Sequence, residues 1–186
     1  ACCMSACALS RAPLRPPRGW GVASMRTRRA ELTPEGEREA LSGHVIVCGY
    51  GPVGRVLQQA LAKCNIGALI LELNADTVHE MAGKGVLGLF ADARHPESLE
   101  MAGVERARGI AFTFPDVDAA IAGMRLARQR NPEILVYARA KFTEEADRLR
   151  EEGADHVFHD EQESGQALIK SVLNSYVEKD VLDDFS

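Results

Sequence analysis

The stretch HVIVCGYGPVGRVL, residues 44–57, decides the fold of this chain. Its first five residues are an apolar run typical of a buried strand, and its last residues open a helix-like pattern. Between them lies Gly-x-Gly-x-x-Gly, which by itself is weak evidence for dinucleotide binding. It becomes specific where a strand precedes it, a helix follows it and an acid ends the next strand. The stretch therefore predicts the first β-α unit of a dinucleotide-binding fold.

Each glycine in this loop has a separate physical role. Gly49 permits the tight turn out of the strand, Gly51 lets the backbone approach a pyrophosphate, and Gly54 allows helix and strand to pack closely. Pro52 suits a first helical turn, whose free amides and dipole attract an anion. The predicted phosphate loop comprises Gly49, Tyr50, Gly51, Pro52, Val53 and Gly54.

An acid follows at the distance that the motif requires. Glu72 ends the second predicted strand, 18 residues beyond Gly54. A carboxylate there can accept both hydroxyls of an adenosine ribose and would repel a 2′-phosphate, which favours NAD or another adenosine nucleotide over NADP. Leu73 and Asn74 complete this edge, with Asn74 as a second polar contact.

Further candidates follow the third and fourth strands. Asp92 and Ala93 lie where the carboxyl edge of the sheet would face the adenine; capping of the next short helix is an equally good interpretation of Asp92. Phe114 and Pro115, with Asp116, occupy the corresponding edge across the cleft, and position alone makes them lining candidates.

The rest of the chain alternates short apolar runs with helical stretches, which predicts a parallel sheet with crossover helices. We therefore expect an α/β fold, a single-domain, Rossmann-like, doubly wound parallel sheet of six strands. The predicted strands are 45–48, 68–73, 86–90, 109–113, 134–138 and 156–158. The predicted helices are 54–63, 75–82, 96–102, 117–129, 143–152 and 163–176.

Composition excludes other classes. The chain is 46% hydrophobic with no apolar run long enough to span a bilayer, so we expect no direct membrane insertion. The net charge is -5. Residues 1–30 contain six arginines and no Asp or Glu, so the rest of the chain is strongly acidic. An acidic body argues against nucleic acid as the ligand.

The ends of the chain lack the pattern of the fold. Residues 1–43 are Arg- and Pro-rich and are expected to be disordered or a linker, with a short helix from Pro34 capped by Thr33; an organelle transit peptide is an alternative for the first thirty. The domain proper is expected at 44–178, followed by an acidic tail at 179–186. The five cysteines form no framework, so we expect buried, reduced thiols in the cytosol.

Two patterns raise the question of catalysis. Tyr137 and Lys141 match the Tyr-x-x-x-Lys pair of short-chain dehydrogenases, but a β-type run would separate them by about 13 Å. We therefore expect Tyr137 and Arg139 at the sheet edge, with Arg139 able to face a ligand or partner. The only metal-like cluster, at positions 156 and 159–161, lacks a second set of ligands, and a solvated loop is expected there.

We predict a binding protein rather than an enzyme; a small NAD-dependent oxidoreductase is the alternative.

The segments HVIVCGYGPVGRVL, LILELN, GLFADARHPESLEMAGVERARGI and EGADHVFHDE resemble, in order, the TrkA-N or RCK N-terminal domain. The resemblance covers about 44–176 and is nearest to the branch linked to Kef-like cation:proton antiporters. It implies a cytosolic regulatory domain or subunit of a potassium channel or monovalent cation:proton antiporter. Such a domain binds NAD(H), AMP, ADP or ATP as a non-catalytic ligand and couples it to transport through dimer geometry.

The same resemblance implies roles for individual residues. The three loop glycines would hold phosphate, Glu72 the ribose and Asp92 the adenine side. The apolar stripe of the last helix would contact a second copy in a homodimer or higher ring, although core packing is an equal alternative; it comprises Leu168, Ile169, Val172, Leu173 and Tyr176. Location would be cytoplasmic, at the inner face of the plasma membrane through a transmembrane partner. Nucleotide-gated relatives often have an arginine at the loop position of Pro52. An arginine there would bind a terminal phosphate, and in this chain only Arg55 is placed to take over that role.

Overall fold

The computed structural model describes residues 34–176 of the 186-residue chain. The predictions for residues 1–33, including the cap at Thr33, and for the tail at 179–186 lie outside this range. The strands are β1 (Val45–Cys48), β2 (Ala68–Glu72), β3 (Gly88–Phe90), β4 (Gly109–Phe112), β5 (Leu135–Ala140) and β6 (His156–His159). The α-helices are α1 (Pro34–Glu39), α2 (Pro52–Lys63), α3 (Ala75–Gly83), α4 (Pro96–Met101), α5 (Val117–Arg130), α6 (Thr143–Glu151) and α7 (Asp160–Tyr176), with a 3-10 turn at Val104–Arg106.

The six strands form one sheet in the order β3-β2-β1-β4-β5-β6, and every pair is parallel. The chain moves outward from β1 to β3, then returns to the other side of β1 with β4. This reversal is the topological switch point at which doubly wound sheets bind ligands, beyond the carboxyl ends of the strands. The predicted fold class is confirmed.

The core lies on both faces of the sheet because successive side chains of a buried strand alternate. On one face, Ile46 and Cys48 of β1 join the larger cluster with residues of α4, α5 and α6. On the other, Val47 of β1 and Ile70 of β2 pack with Met81 of α3. Because both faces of β1 are buried, every residue of Val45–Cys48 is apolar rather than every second one.

Several predicted boundaries are wrong. Strand β5 continues to Ala140, and β6 passes directly into α7 at Asp160, three residues before the predicted helix start. The expected solvated loop at 159–161 is accordingly absent, and His159 is buried. Cys48 is buried as predicted, but Cys64, just after α2, is exposed; both thiols are free. Within residues 34–176, no helix has the length and hydropathy that crossing a bilayer would require.

His44, which precedes β1, is a buried titratable group. Its Nε2 donates to the Ala102 carbonyl oxygen at 2.8 Å, whereas Nδ1 is buried without a hydrogen-bond partner. Burial lowers the pKa of His44 below 6.5; the bond to Ala102 opposes this shift, and the positive charge of Arg106 adds to it. Folding therefore favours the neutral form of the imidazole.

This burial predicts a pH dependence of stability. Well above pH 6.5 the ring is neutral in both the folded and the unfolded state; as the pH falls below 6.5, the unfolded state takes up the proton before the folded state does. The free energy of unfolding should therefore decrease below pH 6.5, by up to about 1.4 kcal/mol per pH unit. Urea titrations at pH 8, 7, 6 and 5 would measure it. The His44→Gln variant should lose this slope; an equal slope in wild type and variant would contradict the assignment.

Candidate nucleotide-binding site

The glycine loop connects β1 to α2 at the switch point. Gly49 has φ +96°, a left-handed conformation that favours glycine, and its amide donates to the Leu71 carbonyl oxygen at 2.8 Å. A Cβ on Gly54 would lie 2.1 Å from the Gly49 carbonyl oxygen, far inside contact distance. A Cβ on Gly51 would meet nothing within 4 Å. The close packing predicted for Gly54 is confirmed, and Gly51 faces open space, as an approach to phosphate requires.

Helix α2 begins at Pro52, and its first hydrogen bond runs from the Arg55 amide to the Gly51 carbonyl oxygen at 2.9 Å. By helix geometry the amides of Gly51, Val53 and Gly54 have no partner within the helix, and they carry the positive end of its dipole. The side chain of Val53 is 41% exposed. These amides are the groups of the loop that could bind an anion.

Tyr50 differs from the other loop residues, because its ring points into the protein. The residue is 5% exposed and packs with Val47, Ile70 and Met81. Its side chain cannot line a ligand pocket; only its backbone belongs to the loop surface.

Glu72 ends β2 as predicted, and its carboxylate binds the loop itself. Oε2 accepts from the Tyr50 amide at 2.6 Å, and Oε1 accepts from the amides of Leu73 at 2.8 Å and Asn74 at 2.9 Å. Each carboxylate oxygen has two lone pairs, so three of the four acceptor sites are used and one, on Oε2, remains for a ribose hydroxyl. Glu72 thus fixes the loop and presents its charge at the same edge.

The two residues after Glu72 have different surroundings. Leu73 is 58% exposed at the carboxyl edge of the sheet. The Asn74 side-chain oxygen accepts from the Thr77 amide at 3.0 Å and caps α3. The Asn74 amide group remains the part of that side chain that could donate to a ligand.

Asp92 lies two residues beyond β3 and pairs with Arg94. Its carboxylate accepts from the Arg94 guanidinium at 2.6–3.1 Å and from the Arg94 amide at 2.9 Å, and these bonds lower the pKa of Asp92. The capping alternative is wrong, because His95 occupies the cap position of α4 without a side-chain bond. Ala93 is buried in the larger core cluster, so its side chain does not face a ligand.

The opposite wall of the cleft follows β4. Phe114 lies against the loop, with its Cδ1 3.4 Å from the position that a Gly49 Cβ would take, and it packs edge-on to Phe112. Pro115 is exposed, and Asp116 caps α5 by accepting from the Ala119 amide at 3.0 Å. The structure therefore brings the β1, β2, β3 and β4 candidates to one edge of the sheet.

The arginines near this edge are paired with carboxylates. Arg55 donates to the Tyr50 carbonyl oxygen at 3.0 Å, lies over the Tyr50 ring and reaches Glu80 at 3.4 Å. In this position its guanidinium is directed toward α3, in a pair whose two side chains are 40% and 43% exposed. Arg94 pairs with Asp92, and Arg139 with Asp160.

The catalytic and metal alternatives find no geometric support. Tyr137 lies inside β5, which pairs with β4 and β6 and is not an edge strand, and its ring stacks on His156 at 5.0 Å between centroids. Lys141 follows the strand, so the pair is not one helical turn apart. Over the described part of the chain, no three His, Cys, Asp or Glu residues are grouped closely enough to hold a metal ion.

Sequence reasoning missed one residue of this site. The Thr113 hydroxyl lies 3.0 Å from the carbonyl oxygens of both Cys48 and Gly49, so it supports the loop from β4. The structure ends β4 at Phe112, so Thr113 directly follows the strand beside β1 and lies next to the loop, whereas the sequence prediction placed it inside the strand. A hydroxyl within a predicted strand gives no reason to consider it.

The amino-acid sequence matches a known family and several relatives. Residues 45–160 match the TrkA-N domain. The chain is 30% identical over 137 residues to the "Putative K(+) efflux antiporter KefB" of Alkalimonas amylolytica, covering 74% of this chain and 21% of that protein. It is 28% identical over 130 residues to the "Putative cation/proton antiporter YbaL" of Escherichia coli, covering 70% and 23%. It is 32% identical over 123 residues to the "Probable potassium channel protein 2" of Methanocaldococcus jannaschii, covering 64% and 36%.

Solved structures share the fold. The TrkA-N domain of the inner membrane protein YbaL from Escherichia coli superposes with a TM-score of 0.69 at 28% identity, covering 72% of this chain and 98% of that one. The AMP-bound Kef C-terminal domain of Shewanella denitrificans gives 0.64 at 22% identity, covering 73% and 82%. The NAD-bound GsuK channel gives 0.60 at 20% identity, covering 71% and 24%.

The match to the family extends over most of the described fold and includes the loop, Glu72 and the strands on both sides of the switch point. The chain spans about a fifth of the length of the two antiporter relatives. This chain belongs to the TrkA-N domain family.

Proposed function

We propose that this chain is a regulatory domain that binds NAD(H) or an adenine nucleotide and controls a potassium channel or monovalent cation:proton antiporter. The observation that carries the proposal is the glycine loop at the switch point, with open space at Gly51 and the carboxylate of Glu72 beside it. Proteins of the same fold are bound to AMP and to NAD. We propose that the ligand acts without being chemically changed, which the position of Tyr137 and Lys141 in and after a strand supports.

The proposed ligand site consists of the loop amides, Glu72, Asn74, Asp92 and Phe114. Phosphate would lie on the amides at the start of α2, and the ribose would bind Glu72. The adenine would lie toward Asp92, with the exposed surface of Leu73 nearby. We propose 44–178 as the bounds of this domain.

The charges of the site predict its selectivity. Glu72 would face a 2′-phosphate directly, and Arg55, which stands nearest to the loop, is paired with Glu80. We expect NADH and AMP to bind at least about tenfold more tightly than NADPH and ATP, respectively, since one uncompensated phosphate contact of about 1.4 kcal/mol gives a factor of ten. Titration calorimetry with the four nucleotides would measure this. Equal affinities within each pair would contradict the prediction.

The ribose role of Glu72 is tested by Glu72→Ala. We expect AMP and NADH affinity to fall at least about 30-fold, because a hydrogen bond to a charged group contributes about 2 kcal/mol. The Tyr50 amide also loses its acceptor, so some stability is lost, and circular dichroism must confirm folding. Glu151→Ala, which removes an exposed carboxylate at the end of α6, should leave affinity unchanged. No nucleotide binding by wild type, or unchanged binding by Glu72→Ala, would overturn the proposal.

The relatives and the surface of α7 support a proposal about partners. Three residues of α7 are exposed hydrophobics: Leu168 at 66%, Ile169 at 49% and Val172 at 47%. The alternative that this stripe packs in the core of the same domain is therefore wrong for these three side chains. We propose that the stripe contacts a second copy in a homodimer or higher ring, and that the assembly acts on a transmembrane partner from the cytoplasmic face of the plasma membrane.

A further inference from the structure

A line of hydrogen bonds crosses the carboxyl edge of the sheet from the glycine loop to α7. It begins at the Thr113 hydroxyl, which lies 3.0 Å from the Gly49 carbonyl oxygen and 3.0 Å from that of Cys48. A hydroxyl has one proton, so it donates fully to only one of these carbonyls at a time. The side chain is enclosed between Gly49 and Gly54, since a Cβ added at either glycine would approach its oxygen to 3.1 and 3.0 Å, respectively.

The line continues through Arg139 at the end of β5. Arg139 Nη1 donates to the Thr113 carbonyl oxygen at 3.2 Å, so a shift of the Thr113 backbone reaches the guanidinium directly. Arg139 Nε and Nη2 donate to the Asp160 carboxylate at 2.6–3.0 Å. This paired geometry fixes the orientation of both side chains, because the planar guanidinium matches a carboxylate in only a few arrangements.

Asp160 is the first residue of α7. Its negative charge lies at the positive end of the helix dipole, and Arg139 holds the pKa of Asp160 below its usual range. The Thr113 hydroxyl, the Thr113 backbone carbonyl and the side chains of Arg139 and Asp160 therefore connect the loop to α7. The helix that they reach carries the exposed stripe of Leu168, Ile169 and Val172.

We propose that Thr113, Arg139 and Asp160 are positioning residues that couple the glycine loop to the first turns of α7, and we name these three residues the relay. Phosphate bound at the loop shifts the Gly49 carbonyl and, through the Thr113 hydroxyl, the Thr113 backbone; Arg139, bound to the Thr113 carbonyl, carries the displacement to Asp160. Because coupling is reciprocal, a change at Asp160 alters the loop by the same free energy. The ligand-dependent part of this proposal rests on the proposed function; the coupling itself does not.

Hydrogen exchange measured by mass spectrometry tests the coupling first in the nucleotide-free protein. Thr113→Val should accelerate exchange in the first turns of α7, and Asp160→Asn should accelerate exchange in residues 49–54, each by about fivefold, the effect of one hydrogen bond of average strength. Thr113→Ser keeps the hydroxyl and should match wild type. Glu152→Gln removes a similar ion pair, to Arg125, outside the relay and should also match wild type.

Saturating AMP provides the second measurement. In wild type AMP should slow exchange in the loop and in the first turns of α7, whereas in Thr113→Val and Asp160→Asn only the loop should respond. Responses of α7 equal to wild type in both variants would overturn the relay. If AMP and NADH protect no loop amide in wild type, the proposed function fails. The nucleotide-free measurement still tests the relay. Wild-type exchange in α7 of Thr113→Val, together with wild-type exchange in residues 49–54 of Asp160→Asn, would overturn it.

Discussion

Replacing Gly54 with alanine should lower the melting temperature by about 6–12 °C. The added Cβ would lie 2.1 Å from the Gly49 carbonyl oxygen and 3.0 Å from the Thr113 hydroxyl. Relief requires α2 to move away from β1, which costs about 3 kcal/mol for overpacking of this kind, and a domain of this size loses about 2–4 °C per kcal/mol. Thermal unfolding followed by circular dichroism would measure the shift.

The sign of this effect makes the prediction specific. Alanine in place of an unconstrained helical glycine stabilises a helix by about 1 kcal/mol. Gly165 in α7 provides the matched control, since its Cβ would meet nothing within 4 Å, and Gly165→Ala should raise the melting temperature. If Gly54→Ala were as stable as wild type, the close approach of α2 to β1 would not exist in solution.

The topology around this glycine could be predicted from the sequence because it depends on local patterns. The apolar run at Val45–Cys48, the glycine spacing and Glu72 are contiguous features with few physical alternatives. Parallel order then follows, since strands separated by helices cannot pair as hairpins. The sequence accordingly predicts all six strands and both sides of the cleft.

Side-chain pairing could not be predicted in the same way, because it depends on neighbours distant in sequence. Tyr50 looks like a loop residue, yet its ring is buried against Met81. The position of Arg55 just after the glycine loop suggests a phosphate contact, but in the structure its guanidinium pairs with Glu80, 25 residues away. Position 160 has the sequence character of a solvated loop, and only the fold brings Arg139 of the neighbouring strand to bind it.

Boundaries failed for a related physical reason. Periodicity predicts the start of α7 at Glu163, because residues 159–162 carry no apolar repeat. The helix instead begins at Asp160, where an acid is favoured by the dipole and fixed by Arg139. The actual boundary thus depends on a tertiary ion pair that periodicity does not reveal.

Replacing Gly51 with valine should abolish nucleotide binding while the domain stays folded. Gly51 has φ −69°, which any residue adopts, and a Cβ there meets no protein atom within 4 Å. The fold therefore has room for the Cβ, and we expect a loss of about 0.5–1 kcal/mol because valine is a poorer helix cap than glycine. In the proposed site the phosphate on the α2 amides would occupy the open space beside Gly51, which the valine side chain would fill.

The expected result is a loss of AMP and NADH affinity of at least about 100-fold, because displacing a phosphate from the loop forfeits two charge-assisted hydrogen bonds of about 1.5 kcal/mol each. Gly51→Ala should give a smaller loss, since one methyl group excludes less of the phosphate. Titration calorimetry would measure both, with melting curves to show that each variant is folded. Wild-type affinity in a folded Gly51→Val protein would mean that nucleotide binds elsewhere. Because Gly54→Ala should damage the fold and Gly51→Val only the site, the pair separates the two requirements that one glycine motif combines: close packing of α2 on β1, and open space in front of its amides.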